Sequence, residues 1–224
     1  IGDTYLPWRS SYWIYNAQRG DFLPLVYGVK ALSLTGVSAV SPSIMSRYNS
    51  SDSNYVQQAL PDLTGCQNCS FTRYKWGSTA QTTSDEIRTY LKFSISSLPA
   101  GAIIESASLS YYVTDPLDAP RNFEIYSIAD AGDGWQEASI TWNNAPLPET
   151  GPPRASASFV PQQNTRYSID LTPYILEEYN SRNKVVTLVF RATPPPGTVN
   201  QWSIGTEEQT ARINRPTLFV KYRT

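Results

Sequence analysis

Paired carboxylates are the side chains of this sequence with the most obvious capacity for chemistry. Two facing carboxylates can hydrolyse a glycosidic bond or, with further oxygen ligands, hold calcium. Each pair lies among turn residues, so the interpretation we favour is a solvated turn, with structural calcium as the alternative left open. The pairs are Asp115 and Asp118, Asp130 and Asp133, and Glu207 and Glu208.

Histidine is absent from the 224 residues. Its absence excludes Ser-His-Asp and Cys-His nucleophilic centres and removes the commonest zinc ligand. With only two cysteines, one chain cannot build a closed zinc site from the usual ligands. We therefore expect no catalytic residue, no metal centre and no cofactor. A glycosidase that uses two carboxylates is the one enzyme class that this argument leaves open.

The two cysteines, Cys66 and Cys69, are separated by two residues in a stretch rich in Gly, Gln and Asn. A redox pair with this spacing is expected beside a βαβ pattern, which the sequence lacks. We therefore predict a disulfide that closes a small loop, as is usual in secreted proteins.

Several features favour an extracellular or cell-surface protein. The first residue is Ile1, which fits a mature secreted product or a piece of a longer protein. Asn49 and Asn68 each begin an Asn-X-Ser sequon and are predicted glycosylation sites in a secreted chain. Fifteen tyrosines and six tryptophans suit β structure and an adhesive surface.

Charge and hydropathy exclude two classes of partner. The 18 basic and 19 acidic side chains nearly cancel, so the clustered basic excess of a nucleic-acid-binding protein is missing. No apolar run reaches the roughly 20 residues that a membrane-spanning helix needs. We expect neither nucleic acid binding nor a membrane span.

Alternation of apolar and polar residues after position 85 predicts antiparallel strands with one buried face. Residues 43–85 are rich in Ser, Asn, Gly, Gln and Thr and are predicted to form loops. One helix is predicted, with Thr172 as its cap, Pro173 at its first position, and Ile175, Leu176 and Tyr179 on the side that covers the sandwich. The residues predicted to share one core are Leu91, Phe93, Leu109, Tyr111, Leu188, Phe190, Leu218 and Val220.

Five short motifs occur in a fixed order along residues 88–222. They are residues 88–94 (RTYLKFS), 98–111 (LPAGAIIESASLSY), 140–146 (ITWNNAP), 169–179 (IDLTPYILEEY) and the end of the chain, 203–222. In this order they resemble the DNRLRE domain, which is related to the carbohydrate-binding modules first noticed around archaeal disaggregatase (family 96-like). The resemblance covers about residues 43–224.

This resemblance implies an all-β fold, a jelly-roll-like antiparallel β-sandwich with one short helix, exported and without catalytic activity. The chain differs from the sequence typical of the family at Ser94, where an Asp is usual, and at residues 203–207, where the family has "SKE". Residues 1–42 lie outside the resemblance and form an N-terminal extension, followed by one domain over residues 43–224.

Tryptophans are the candidate contacts for a carbohydrate, because an indole ring can stack on a sugar. Trp76, Trp135 and Trp202 are our candidates. Trp142, in the "TWNNAP" motif, is interpreted instead as a core or corner residue, with the neighbouring asparagines satisfying the loop backbone.

The extension contains an almost uncharged segment, residues 22–40, that alternates like a strand or two short strands. It either packs as an edge strand of its own domain or adds to the sheet of another copy, as in donor-strand complementation. An exposed strand of this kind invites aggregation, so something must cover it. The side chains predicted to contact the other copy are Leu23, Leu25, Tyr27, Val29, Leu32 and Leu34.

Two functional hypotheses from different classes follow. The first is a non-catalytic extracellular structural or adhesive subunit that assembles with copies of itself into a filament or surface layer through this strand. The alternative is a carbohydrate-binding module that recognises a polysaccharide with surface Trp and Tyr side chains.

Deleting residues 1–42 separates the two hypotheses. If residues 22–40 complete the sheet of another copy, the truncated chain remains a folded monomer, because residues 43–224 carry their own closing strand. Sedimentation and thermal melting of the truncated and full-length chains check this. A full-length chain that is monomeric at high concentration would contradict self-assembly and favour the carbohydrate-binding alternative.

Overall fold

The computed structural model describes residues 13–16, 21–24, 41–64, 73–78, 86–114, 121–160, 162–192, 200–206 and 209–224. Of these, residues 13–16, 21–24, 73–78 and 200–203, and positions 121, 159 and 192, are described by their backbone alone. The chain divides into two compact units, residues 1–40 and residues 41–224.

The N-terminal unit contains an antiparallel hairpin. Its strands are β1 (Trp13–Asn16) and β2 (Asp21–Pro24), with Ile14 opposite Leu23 in the register. The strand pattern in the sequence begins only at residue 22, so β1 is a strand that the sequence did not predict. The remaining predicted contact residues, from Leu25 to Leu34, lie outside the described residues, and the donor-strand hypothesis stays a prediction.

The second unit is an antiparallel β-sandwich, as the sequence predicts. In its first layer the order is β3–β13–β7–β10, and every pair is antiparallel. The four strands are β3 (Ile44–Asn49), β7 (Ile103–Val113), β10 (Thr165–Asp170) and β13 (Thr217–Arg223).

The second layer has the order β4–β6–β11–β8–β9, again with antiparallel pairs throughout. Its strands are β4 (Asp52–Gln57), β6 (Glu86–Ser94), β8 (Arg121–Tyr126), β9 (Ala155–Phe159) and β11 (Val185–Ala192). Short 3₁₀ turns lie at Asp130–Gly132 and Arg212–Asn214.

An antiparallel pair joins the two layers at one side. It consists of β5 (Arg73–Ser78) and β12 (Asn200–Gly205). Ile204 of β12 pairs with Val113 of β7, and Gly77 of β5 pairs with Ile87 of β6. The hydrogen-bonded path therefore runs from one layer into the other without a break.

The main core lies between the layers, and all eight residues predicted to share it are buried there. Contacts between aromatic rings cross it. The Tyr111 ring of β7 meets the Phe123 ring of β8 edge-on, with centroids 6.2 Å apart. Phe123 in turn lies 6.3 Å from Phe190 of β11. Aromatic pairs at such distances stabilise a core beyond the area they bury.

A second, smaller core covers the outer face of the second layer. Tyr90 and Val189 point away from the main core, and a long irregular segment, residues 127–150, folds over them. The Trp135 ring of this segment packs edge-on against Tyr90, with centroids 5.8 Å apart. Hydrogen bonds fix the segment, because Tyr90 donates to the carbonyl of Pro146 at 2.8 Å and Asn54 donates to that of Glu137 at 2.7 Å.

The predicted helix is present as α1 (Thr172–Ser181), with Pro173 in its first turn. Thr172 is the first helical residue rather than the cap, and its hydroxyl donates to Asp170 at 2.6 Å. Ile175 and Tyr179 are buried, as predicted, but Leu176 is 41% exposed. Leu176 lies one position from Ile175, and neighbouring positions on a helix do not share a face.

The expectation of loops throughout residues 43–85 is wrong, because β3, β4 and β5 lie there. Their residues are largely polar and show no apolar alternation. Their stability comes instead from backbone pairing with β13, β6 and β12. No helix in the described part of the chain has the length and apolar character needed to cross a bilayer.

Truncating Leu109 tests the core. Leu109→Ala is expected to lower the free energy of unfolding by about 2–5 kcal/mol, because the side chain is fully buried and a cavity remains. Ser108→Ala, the next position on the opposite face of β7, serves as the control and is expected to change it by less than about 0.5 kcal/mol. Urea unfolding of both variants gives the two values, and equal effects would contradict the assigned faces.

Candidate functional site

The outer surface of the first layer is lined by hydroxyl groups, and it is open at Ser106 and partly open at Ser108, whereas Ser110 and Thr217 are buried. On β7, Ala107, Leu109 and Tyr111 point into the core. Because successive side chains of a strand alternate between faces, the intervening residues point outward. These are Ser106, Ser108 and Ser110. We call the outer surface of β3, β13, β7 and β10 the serine face.

Two arginines extend over this face from its two edge strands. The Arg47 guanidinium of β3 lies over the Phe219 ring of β13, 5.3 Å from the ring centroid. On the other edge, Arg166 of β10 donates from Nη1 to the hydroxyl of Ser110 at 2.7 Å. Each side chain therefore reaches over the neighbouring strand, toward the centre of the sheet.

Within the described part of the chain, neither arginine has an acidic partner. Among the described residues, no carboxylate lies within ion-pair distance of Arg47 or Arg166. Burial and the nearby positive charge of Arg47 lower the pKa of the Arg166 guanidinium. Two like charges on one face repel each other, and an anion between them would remove that cost.

The other charged groups of the face are already engaged. Lys221 of β13 pairs with Glu105 at 3.1 Å, and Asp170 accepts hydrogen bonds from Thr172. At the far end of the serine row, the Tyr112 hydroxyl donates to the Asn164 side chain at 3.2 Å. The serine face thus combines a hydroxyl-lined floor with two arginines free to take a ligand.

A second group of arginines, on the outer face of the other layer, differs in this respect. Glu86 accepts from Arg88 Nε at 2.9 Å and Nη2 at 3.1 Å, and from Arg191 Nε at 2.7 Å. The Arg88 guanidinium lies 4.2 Å from the Trp142 ring centroid, and that of Arg191 lies 5.5 Å from the Tyr126 ring. We call these five residues the Glu86 cluster.

In the Glu86 cluster both guanidinium groups bind the same carboxylate. Burial alone would raise the pKa of Glu86, but hydrogen bonds from Arg88 and Arg191 outweigh it and the pKa is lowered. Burial alone would also lower the pKa of Arg88, yet its bonds to Glu86 raise it. Because both guanidinium groups already bind a carboxylate, this cluster differs from Arg47 and Arg166 and is expected to stabilise the fold.

The predicted carbohydrate contacts fall into two groups. Trp135 is only 8% exposed, and its Nε1 donates to Thr187 at 3.2 Å, so it packs in the second core. Trp76 and Trp202 are directly opposite each other in the register of β5 and β12. Trp142 is partly exposed in a corner, where Asn144 accepts from the Thr141 amide and donates to the Ser139 carbonyl.

Asp130 and Asp133, the predicted carboxylate pair that the structure describes, both bind other side chains of the protein. Asp130 binds Arg182 at 2.6 Å, and Asp133 accepts from Thr187 and Asn183, each at 2.7 Å. The described residues contain no cluster of three acidic or cysteine side chains arranged to hold a metal ion.

Several predicted sites lie outside the described residues. They are Cys66, Cys69 and Asn68, and the carboxylate pairs Asp115 and Asp118, and Glu207 and Glu208. The described sequon, Asn49, is exposed on β3, opposite Thr217, and lies on the serine face.

The sequence contains a signal for the serine face that is separate from the five motifs. In residues 106–111 (SASLSY), serine recurs at every second position and the intervening residues are apolar. The polar residues at every second position of such a strand are usually interpreted as a surface that faces water. Arg47 and Arg166 are 119 positions apart along the chain, and only the strand pairing shows that they share a face.

A comparison with protein-family models places this fold among known modules. The model of carbohydrate-binding module family 96 matches residues 47–222. The chain belongs to carbohydrate-binding module family 96. The match includes all the strands of the serine face apart from the first residues of β3 and the last residue of β13, and it confirms the family suspected from the motifs. No curated protein matched the chain.

Membership of carbohydrate-binding module family 96 favours one of the two functional hypotheses. It is a family of carbohydrate-binding modules, so it supports the hypothesis of a polysaccharide-binding module rather than that of a filament subunit. Neither the fold nor the family bears on assembly through residues 22–40, and self-association stays a prediction.

The two groups of arginines are expected to respond differently to truncation. Arg88→Ala leaves Glu86 without two of its hydrogen bonds and should lower the free energy of unfolding by about 1.5–3 kcal/mol. Arg47→Ala removes an exposed cation and should change it by less than about 0.5 kcal/mol. Thermal or urea unfolding compares them, and an Arg47 variant as unstable as the Arg88 variant would show that Arg47 is structural.

Proposed function

We propose that this chain is a non-catalytic module that binds an acidic polysaccharide on its serine face. The observation that supports the proposal is the pair Arg47 and Arg166, which extend over the same face of one sheet and have no carboxylate partner among the residues that the structure describes. The family supplies the class of ligand, a carbohydrate, and the uncompensated charge favours a polymer bearing carboxylate or sulfate groups.

The chemistry of the face suits such a ligand. A guanidinium presents a planar fork of donors that matches a carboxylate, and charge-assisted hydrogen bonds are among the stronger ones in proteins. Serine hydroxyls both donate and accept, so Ser106 and Ser108 can bond to sugar hydroxyls. Their small size leaves room for a chain between Phe219 on one side and Arg166 on the other.

The dimensions of the face suit a polymer rather than a single sugar. From Ser106 to Tyr112 the strand rises about 20 Å, enough for several sugar units. Beyond Tyr112, β12 joins β7 at Val113. A polysaccharide that followed β7 in this direction would approach the β5–β12 pair, so we retain Trp76 and Trp202 as candidate contacts at that end.

This function places the module outside the cell or on its surface, where such polymers occur. Affinity gel electrophoresis and calorimetry test the binding with polyuronate, sulfated and neutral polysaccharides. We expect binding to the acidic polymers, weakening as salt is added because the charges become screened.

Substitutions of the two arginines test whether the polysaccharide binds on the serine face. Arg166→Ala and Arg47→Ala are each expected to weaken binding about 10- to 100-fold, the equivalent of one charge-assisted contact. Arg212→Ala is the matched control, because Arg212 is an exposed cation in a 3₁₀ turn outside the serine face. Equal binding of neutral polymers, or full affinity after both substitutions, would refute this function for the serine face.

A further inference from the structure

One carboxylate of the sandwich is buried without hydrogen bonds. Glu178 of α1 is 1% exposed, and neither of its oxygens has a hydrogen-bond partner among the described residues. Its nearest cation is Arg182, one helical turn along, whose Nε lies 3.2 Å from Oε2 without hydrogen-bond alignment. A buried polar group that is left unpaired needs a physical explanation.

Arg182 cannot compensate Glu178 fully, because it serves several acids. Its Nε lies 2.6 Å from Asp130 Oδ1, and its Nη1 lies 3.3 Å from Glu149 and 3.5 Å from Glu177. The other arginine of the group, Arg154, binds Glu149 at 2.9 Å and Glu177 at 2.7 Å.

The remaining groups around Glu178 do not offset the excess of acidic over basic side chains. Asp133 adds a further negative charge near Glu178, and the Lys184 ammonium is directed over the Tyr179 ring, 4.8 Å from its centroid. Tyr174, packed beside the two arginines, is neutral because burial raises its pKa. Four acids thus share two guanidinium groups, and Glu178 is the most buried of them.

We propose that Glu178 is a proton-binding site, and that its protonation in mildly acidic surroundings anchors α1 more firmly to the sandwich than at alkaline pH. The proposal rests on the burial, the two unpaired oxygens and the excess of acid around them, and it is independent of the polysaccharide site. A neutral carboxylic acid tolerates this environment better than a buried carboxylate does.

The electrostatic environment supports this assignment. Burial raises the pKa of Glu178 to about 7, and the charges of Asp130 and Asp133 reinforce the rise. The Arg182 charge opposes it, together with a small contribution from the Lys184 backbone amide, which does not meet hydrogen-bond geometry with either oxygen. Since the pKa in the fold exceeds that of the unfolded chain, the folded state binds the proton more tightly. The stabilisation is complete below the ordinary pKa of a glutamate and is lost as the pH rises through about 7.

Thermal melting of the full chain between pH 5 and 9 tests the proposal. Glu178→Gln mimics the protonated state, so it should raise the Tm at pH 8.5 by about 4 °C or more and flatten the fall of Tm above neutrality. The control is Glu177→Gln, the adjacent and 42% exposed acid that binds Arg154. It should keep the pH dependence of the unaltered chain.

Three results of the melting experiments would overturn the proposal. The first is a Glu178→Gln chain that is as pH-dependent as the parent, and the second is one less stable than the parent at pH 8.5. The third is a large rise of the parent's Tm on adding calcium at pH 8.5, which would assign the unpaired oxygens to a cation.

Carbon-13 NMR of the glutamate carboxyl groups tests the proposal on the parent chain, without a substitution. A titration midpoint of Glu178 near pH 7 supports the proposal, whereas a midpoint near pH 4 contradicts it.

Discussion

The packing of Trp135 on Tyr90 is the contact that makes the two layers of this sandwich different. Tyr90 and Val189 give the second layer an apolar outer face, which is costly to leave in water. Trp135 covers it, held by Thr187 and by the Lys92 side chain, which lies 4.4 Å from the ring centroid. The first layer has serine and arginine in the corresponding outward positions, so it can remain open.

This difference explains why the obvious aromatic candidates and the proposed site do not coincide. Large rings bury more apolar surface than any other side chain, so most folds use them in cores before surfaces. Trp135 and Tyr90 follow that rule, and Trp142 is stacked against Arg88 at the edge of the same core. The proposed ligand face relies on guanidinium and hydroxyl groups instead, which water can solvate while no ligand is bound.

The sequence predicts the interior of this protein well and its edges poorly. Leu109 and Phe190 were assigned to the core because apolar residues at every second position require a buried face. β3 and β4 were missed because edge and near-edge strands of Ser, Asn and Tyr are held by backbone pairing, which leaves no apolar pattern. The site was missed for a related reason, since Arg47 and Arg166 meet only through the order of four strands. Glu178 lies in a helix that was predicted, yet its burial depends on the irregular segment folded beside α1.

The regular strands beneath Arg47 and Arg166 also bear on how long a ligand stays. Strands that are already paired neither close around a polymer nor need to rearrange, so association with the proposed ligand would be fast and few contacts would oppose release. The repeating charges of an acidic chain offer the same two arginines a new partner every few ångströms. A module of this shape would move along its polymer in short steps rather than remain at one point, and prolonged retention would require several modules linked together.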